Sequence, residues 1–294
     1  MRTTVGSVWL GFCLLIVLGG CPNVPPPTNT FLPADQDVPA DGSVQLISVM
    51  IDAEQDDTVG LQRLTGAMLS RALPTTVYVS ADYANANATL IQGLFNQGFE
   101  IALHGYSTGE QLATMTYEEQ KDLLKRALAA VEGCRLCGFD RPVTGFRPQY
   151  FSQNEDTYQV LDELRLTYDS GFKAGQLPFA GREAARTPFL VEGHRFAVVP
   201  VTTVEFEGRE IYLCDISCAL SENLTADQFK QALTQARQES REQGVPMVAN
   251  FHGWYTGDRE MYDYWEPFIE FVDEAVADGA VFVRSRHLVD LWTE

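Results

Sequence analysis

Positive charge is scarce in this chain. Its 294 residues carry 21 Lys and Arg against 40 Asp and Glu, a formal net charge of −19. Phosphate backbones are bound through a basic face, so no nucleic-acid partner is expected, and the excess acid reads as a solvated surface that keeps the protein soluble. Long hydrophobic runs are also missing: the apolar stretch at residues 8–18 is too short to span a bilayer comfortably as a permanent helix. There is no internal repeat, and only one segment is low in complexity, so the chain is not read as a repeat array. Histidine is limited to four residues, which restricts any imidazole-based site to a small set. The length suits one sizeable α/β domain and is rather short for two.

What is present begins with Arg2 and the apolar run, which together read as a secretory signal over residues 1–20. The run ends in "LGGC", and small residues before a cysteine resemble the lipobox of bacterial lipoproteins, which implies a lipid anchor on Cys21. Residues 21–43 are rich in proline and polar residues without periodicity, so they are expected to form an extended tether that lets the domain at 44–294 stand off a membrane. Export also sets the reading of the cysteines. With Cys13 in the leader and Cys21 lipidated, Cys134, Cys137, Cys214 and Cys218 are disulfide candidates with three possible pairings. The "CRLC" spacing could instead form half of a zinc knuckle with Cys214 and Cys218.

From residue 44 onward, short apolar runs alternate with longer periodic ones, the pattern of βα units around a mainly parallel sheet or barrel. Strands are predicted at "VQLISVMID", "TTVYVSA", "EIALHG", "VTGFRP", "LTYDSGF", "FAVVPV", "VPMVANFH" and "AVFVRS". One helix is expected from Thr116, where Glu119 completes a capping box and Leu124, Leu128 and Val131 share a stripe. A second starts at Thr225 with Gln228 in the same relation, and a third over 258–278 should turn Trp265, Ile269, Val272 and Val276 inward. Asp52, His104, Arg147 and His252 all fall at or just past the C-terminal ends of predicted strands. In a βα barrel those ends converge on one face, where loops build the active site.

The order and context of these residues resemble the polysaccharide deacetylase family, the NodB-homology fold of carbohydrate esterases. That resemblance implies an α/β fold, a distorted (β/α) barrel of about seven strands. In "SVMIDAEQDD", Asp52 takes the place of the family's general base. Ala53 stands where a metal-binding aspartate usually follows, and Glu54, on the same side of an extended segment as Asp52, fits a variant with the acid two positions on. Asp56 and Asp57 are read as caps of the next helix. The family's paired histidines are represented by His104 alone, because position 108 holds Thr108, a weak ligand for zinc; Glu110 could substitute. In "GFRPQYF", Arg147 would hold the catalytic aspartate and the Tyr150 backbone N–H would meet the oxyanion. In "VANFHGW", His252 would be the general acid and Trp254 a wall of the substrate groove. The aspartate that tunes this histidine is not evident, although Asp215 in "CDISC" is a candidate; His194 and His287 read as structural.

This constellation supports attack of water on an acyl carbon, with Asp52 taking a proton, His252 giving one, and a divalent metal (zinc by resemblance) or N–H donors holding the oxyanion. The expected function is removal of acetyl groups from a cell-envelope or extracellular glycan by an exported, lipid-anchored hydrolase. Two alternatives stay open: a metal-independent, allantoinase-like hydrolase of a small amide, and a glycan-binding lipoprotein without catalysis.

Overall fold

The structure, a computed structural model, describes residues 31–38, 41–55, 58–133 and 142–293. The expected leader, Cys21, Asp56, Asp57, Cys134 and Cys137 lie outside the described residues. In chain order the strands are β1 (Leu46–Ala53), β2 (Thr76–Val79), β3 (Glu100–Leu103), β4 (Gly145–Phe146), β5 (Tyr168–Asp169), β6 (Phe189–Leu190), β7 (Ala197–Val198), β8 (Thr203–Phe206), β9 (Arg209–Tyr212), β10 (Met247–His252) and β11 (Val281–Phe282). The α-helices are α1 (Thr58–Ser70), α2 (Ala81–Ala86), α3 (Ala88–Asn96), α4 (Tyr117–Gly133), α5 (Glu155–Leu164), α6 (Ala226–Gln243), α7 (Trp265–Ala277) and α8 (Ser285–Thr293).

A nine-stranded sheet runs β10-β1-β2-β3-β4-β5-β7-β6, with β11 also paired to β1, and curls into a half-barrel flanked by helices. Its neighbours are parallel except β6 and β7, and β8 and β9 form a separate antiparallel hairpin. Every residue of β1 is buried, as its nearly continuous apolar run requires of a parallel strand covered on both faces. The register sets Asp52 beside His252 on one side and beside Tyr78 on the other, so strand pairing alone brings two of the candidate residues together.

Both capping boxes are present. Thr116 and Glu119 bond each other's backbone N–H groups at the start of α4, and Thr225 and Gln228 do so at α6. Helix α7 starts later than expected, at Trp265, with Pro267 in its first turn, where the missing N–H costs nothing. Its buried face is Phe268, Phe271, Val272 and Ala275; Trp265 and Ile269 are half-buried and Val276 is exposed, so the inward stripe is rotated from the predicted one.

Residues 31–38, expected within the free tether, instead pack on the domain. Leu32 joins the core and its N–H bonds the Gln97 carbonyl at 2.6 Å. The buried Arg284 pairs with Asp35 at 2.8 Å and donates to the Pro33 carbonyl at 2.8 Å. An apolar anchor and a charged clamp therefore bind this segment. Among the described residues, no helix is long and apolar enough to cross a membrane.

Candidate active site

At the end of β1, the Asp52 carboxylate is almost wholly buried and faces Arg147, whose Nη1 donates to both oxygens at 3.2 and 3.3 Å. Arg147 is buried as well: its Nη2 meets the Met50 sulfur and the Ser170 hydroxyl, and the guanidinium lies 4.4 Å over the Tyr78 ring. Asn250 adds a third donor, Nδ2 to Asp52 Oδ2 at 2.8 Å. Asn250 precedes His252 by two residues on β10, so both side chains leave the same face of the strand toward Asp52. Burial alone would raise the Asp52 pKa, but Arg147, His104, His252 and Asn250 together hold it below the ordinary carboxylate range. The buried pair is costly to break, since removing either partner strands a charge, at roughly 3–5 kcal/mol.

His252 ends β10 with its Nε2 3.5 Å from Asp52 Oδ2. Behind it stands Asp215, fully buried, whose Oδ1 lies 2.6 Å from His252 Nδ1. Asp215 also accepts the Ile216 N–H at 2.7 Å, the His252 N–H at 2.8 Å and the Thr256 hydroxyl at 2.6 Å, so its lone pairs are spoken for by donors. Burial would lower the His252 pKa, but the Asp215 charge and hydrogen bond, with Asp52 and Glu54 beyond, raise it above its ordinary value. Asp215 follows the β8–β9 hairpin, and an isolated bridge from Cys214 to Asn250 sets it beside β10. Only its polarity between buried neighbours in "LCDISC" marks it in the sequence.

His104 follows β3. Its Nδ1 lies 2.8 Å from the Arg147 carbonyl, which only accepts, so Nδ1 carries a proton and Nε2 is the nitrogen turned toward the carboxylates. Asp52 Oδ2 and Glu54 Oε2 each approach this Nε2 to 3.7 Å. One imidazole nitrogen and two carboxylates form a donor set suited to a divalent cation. The site is open, however: the Thr108 hydroxyl donates to the Glu54 main-chain carbonyl, and no imidazole stands at position 108. Glu110 is not aimed into this centre. Its carboxylate caps the loop after His104 by accepting the Tyr106 and Ser107 N–H groups at 2.9 and 2.8 Å, and Gly105 in that loop holds a φ of 82°, which favours glycine.

Among the described residues, Cys214, Asp215 and His252 are the trio of potential ligands that closes within 4.8 Å. They do not suit a metal. Donors on tetrahedral zinc stand roughly 3.3 Å apart, whereas His252 Nδ1 and Asp215 Oδ1 are at hydrogen-bond distance, 2.6 Å. The Cys214 thiol is also pushed well above its ordinary pKa by burial and by Asp215. Cys214 and Cys218 are both buried free thiols, and their other candidate partners lie outside the described residues. Tyr150 follows Arg147 on a tight turn with a left-handed φ of 56° and an exposed side chain. Trp254 lies on the loop after His252, 6.1 Å from its ring, with a buried indole N–H that has no acceptor. His194 bonds Asp162 and His287 bonds the Gln36 carbonyl, and neither ring joins the centre.

A family model described as "Polysaccharide deacetylase" matches residues 43–168. No curated protein matches by sequence. Among solved structures, a candidate polysaccharide deacetylase from Mycobacterium smegmatis is 19% identical with a TM-score of 0.68, over 89% of this chain and 96% of that one. A second candidate from Pseudomonas aeruginosa PAO1 is 17% identical with a TM-score of 0.69, over 84% and 90%. The Puue allantoinase is 14% identical with a TM-score of 0.69, over 84% and 89%. At these identities the structural likeness speaks for the fold.

Proposed function

We propose, on the match of residues 43–168 to the polysaccharide deacetylase family model, that this protein is an exported hydrolase that removes acetyl groups from a cell-envelope or extracellular glycan. The observation that carries the reading is the pair at the centre: an Asp52 carboxylate kept ionised by Arg147, and a His252 Nε2 3.5 Å from it, backed by Asp215. An ionised acid beside a histidine with a raised pKa is the arrangement that general base and general acid catalysis needs. Asp52 takes a proton from the attacking water. His252 gives one to the leaving oxygen or nitrogen. The Tyr150 N–H meets the charge that develops on the acyl oxygen, and Trp254 lines the groove that takes the sugar.

The family's chemistry uses a divalent metal, and here His104 Nε2 and the Glu54 carboxylate would hold it, with Thr108 as a weak third donor. Such a cation supplies positive charge to polarise the acyl carbonyl. The protein's own groups do the rest: Arg147 orients Asp52, and Asp215 fixes the tautomer of His252. The Pro-rich segment and Cys21 support a lipid-anchored hydrolase that meets a polymer beside the membrane. The openness of the metal site favours a second reading, hydrolysis of a small amide without metal, to which the likeness to an allantoinase adds weight. The test is acetate release from acetylated oligosaccharides by the wild type and Asp52→Asn, set against retention on a glycan resin. Retention without release, unchanged by the substitution, would indicate a binding protein instead.

A further inference from the structure

We propose that Lys173 is a substrate-binding residue whose ammonium takes a carboxylate of the glycan, so that the polymer met at this site is an acidic one. This deepens the reading above and rests on it for the place of the substrate.

Lys173 lies just past the C-terminal end of β5, on the edge of the sheet where Asp52, His104, Arg147 and His252 are gathered. Successive residues of an extended segment point to opposite faces. Phe172 joins the large cluster on which the helices pack, so Lys173 turns to the other face; its bridge partner Val201 packs there with Met50, Tyr78 and Tyr168. The Lys173 ammonium lies 4.1 Å over the Tyr212 ring, and that ring meets Phe151 edge-on at 5.3 Å. Both rings rest on the same inner cluster. Three segments that serve the centre therefore bracket the lysine: Ser170 accepts from Arg147 at 3.2 Å, Phe151 follows Tyr150, and Tyr212 leads to Asp215.

A ring face attracts an ammonium but does not use up its three donors. Lys173 is half-buried, and among the described residues its ammonium has neither a paired carboxylate nor a hydrogen-bonded acceptor. The acids on the elements around it are committed elsewhere: Asp52 to Arg147 and Asn250, Asp215 to its four donors, Glu210 to Gln176 at 2.8 Å and Glu222 to Arg209 at 2.9 Å. By contrast, Lys121 and Lys230 each hold a glutamate. In a chain with 40 acidic and 21 basic side chains, a partly desolvated ammonium without a counter-ion is a position left for a ligand to fill.

The charge of that ligand follows from the neighbours. Lysine presents a compact point charge rather than a fork, so it suits a single anionic group. Asp52, Glu54 and Asp215 already make the centre acidic, and a dianion such as a phosphate ester would meet double the repulsion of a monoanion against one compensating ammonium. A carboxylate carries one charge and matches the one lysine. The rings of Tyr212 and Phe151 beside it offer an apolar floor to the sugar that bears the carboxylate.

The test titrates the full chain calorimetrically with two probes: an oligosaccharide in which acetylated amino sugars alternate with uronic acids, and the same oligosaccharide with its carboxyls reduced to alcohols. Acetate release is followed in parallel. Wild type should bind the acidic probe roughly tenfold tighter, the lower end of what a hydrogen bond to a charged group is worth, and the preference should shrink as salt rises. Lys173→Met keeps the stem and removes the charge, so the preference should vanish; Lys173→Arg should retain most of it. A lysine that served only to pack Tyr212 would weaken both probes equally on substitution and leave the preference in place. Equal binding of both probes by wild type, a preference that survives in Lys173→Met, or binding of neither probe would overturn the proposal. If Lys173→Met does not fold, Lys173→Gln decides in its place. A Lys173-dependent preference without acetate release would uphold this subsite and remove the hydrolase reading, and acetate release without the preference would do the reverse.

Discussion

Replacing Asp215 by Asn should move the protonation of His252 more than any change that leaves the imidazole itself in place. Four donors converge on the Asp215 carboxylate, from His252 Nδ1, the Ile216 and His252 N–H groups and the Thr256 hydroxyl. An amide offers only one acceptor oxygen, so an Asn NH2 must face either the imidazole and Ile216 or the His252 backbone and Thr256. The side chain should settle with its oxygen toward Nδ1 and the Ile216 N–H, since Thr256 can rotate its hydroxyl to accept, while the His252 main-chain N–H loses its acceptor. The hydrogen bond to the imidazole then survives and the charge does not. A charge-assisted hydrogen bond is worth about 1.5–3 kcal/mol, and at 1.36 kcal/mol per pKa unit its loss should lower the His252 pKa by roughly 1–2 units. The sign follows from its role. His252 must be protonated to donate, so the alkaline limb of the kcat profile should move to lower pH by that amount, and kcat at neutral pH should fall. The stability linked to His252 has the same sense: its pKa is raised by folding, so the contribution is full below pH 6.5 and is lost as pH rises through the folded value. The assay is a pH series of acetate release, paired with an NMR titration of the His252 ring. An unchanged titration and an unmoved alkaline limb would refute the coupling.

Thr108→His should add an imidazole beside Glu54 and His104 and tighten zinc or cobalt by tenfold or more, about 1.4 kcal/mol, in calorimetric titration. No gain would mean that position 108 and Glu54 do not face a common centre; tight stoichiometric metal in the parent would show the open site to be already complete. Palmitate labelling in a bacterial host should mark the full-length chain and vanish in Cys21→Ser, whereas persistent label would remove the lipid anchor.

The strands of the large parallel sheet were legible because buried parallel strands read as apolar runs: β1, β2, β3, β4, β5, β7, β10 and β11 each fall on a predicted one. The hairpin of β8 and β9 lies past the "FAVVPV" run, where no strand is predicted, although Glu207 and Gly208, both at positive φ, sit between alternating arms as a tight hairpin turn requires. Helix α7 was misread in phase because Pro267 permits a start at Trp265 that periodicity alone does not fix. At the site, strand ends gave the positions of Asp52, His104, Arg147 and His252, which the structure brings together. Asn250 went unseen because a single Asn inside an apolar strand carries no local signal, and its meaning comes only from the β1–β10 register. Asp215 was only a candidate for the same reason: its partner is 37 residues away and reaches it through an isolated bridge. The binding of residues 31–38 depends on Arg284 near the other end of the chain, a pairing no local pattern discloses.

The most direct measurement is acetate release from an acetylated oligosaccharide by the full chain and by His252→Ala, under matched metal supply. Wild type should turn over, and the variant should bind the oligosaccharide equally while losing roughly 10²–10⁴-fold in rate, the usual worth of a positioned proton donor. Equal release by both would remove His252 from the chemistry, and binding without release by either would contradict the assignment as a hydrolase.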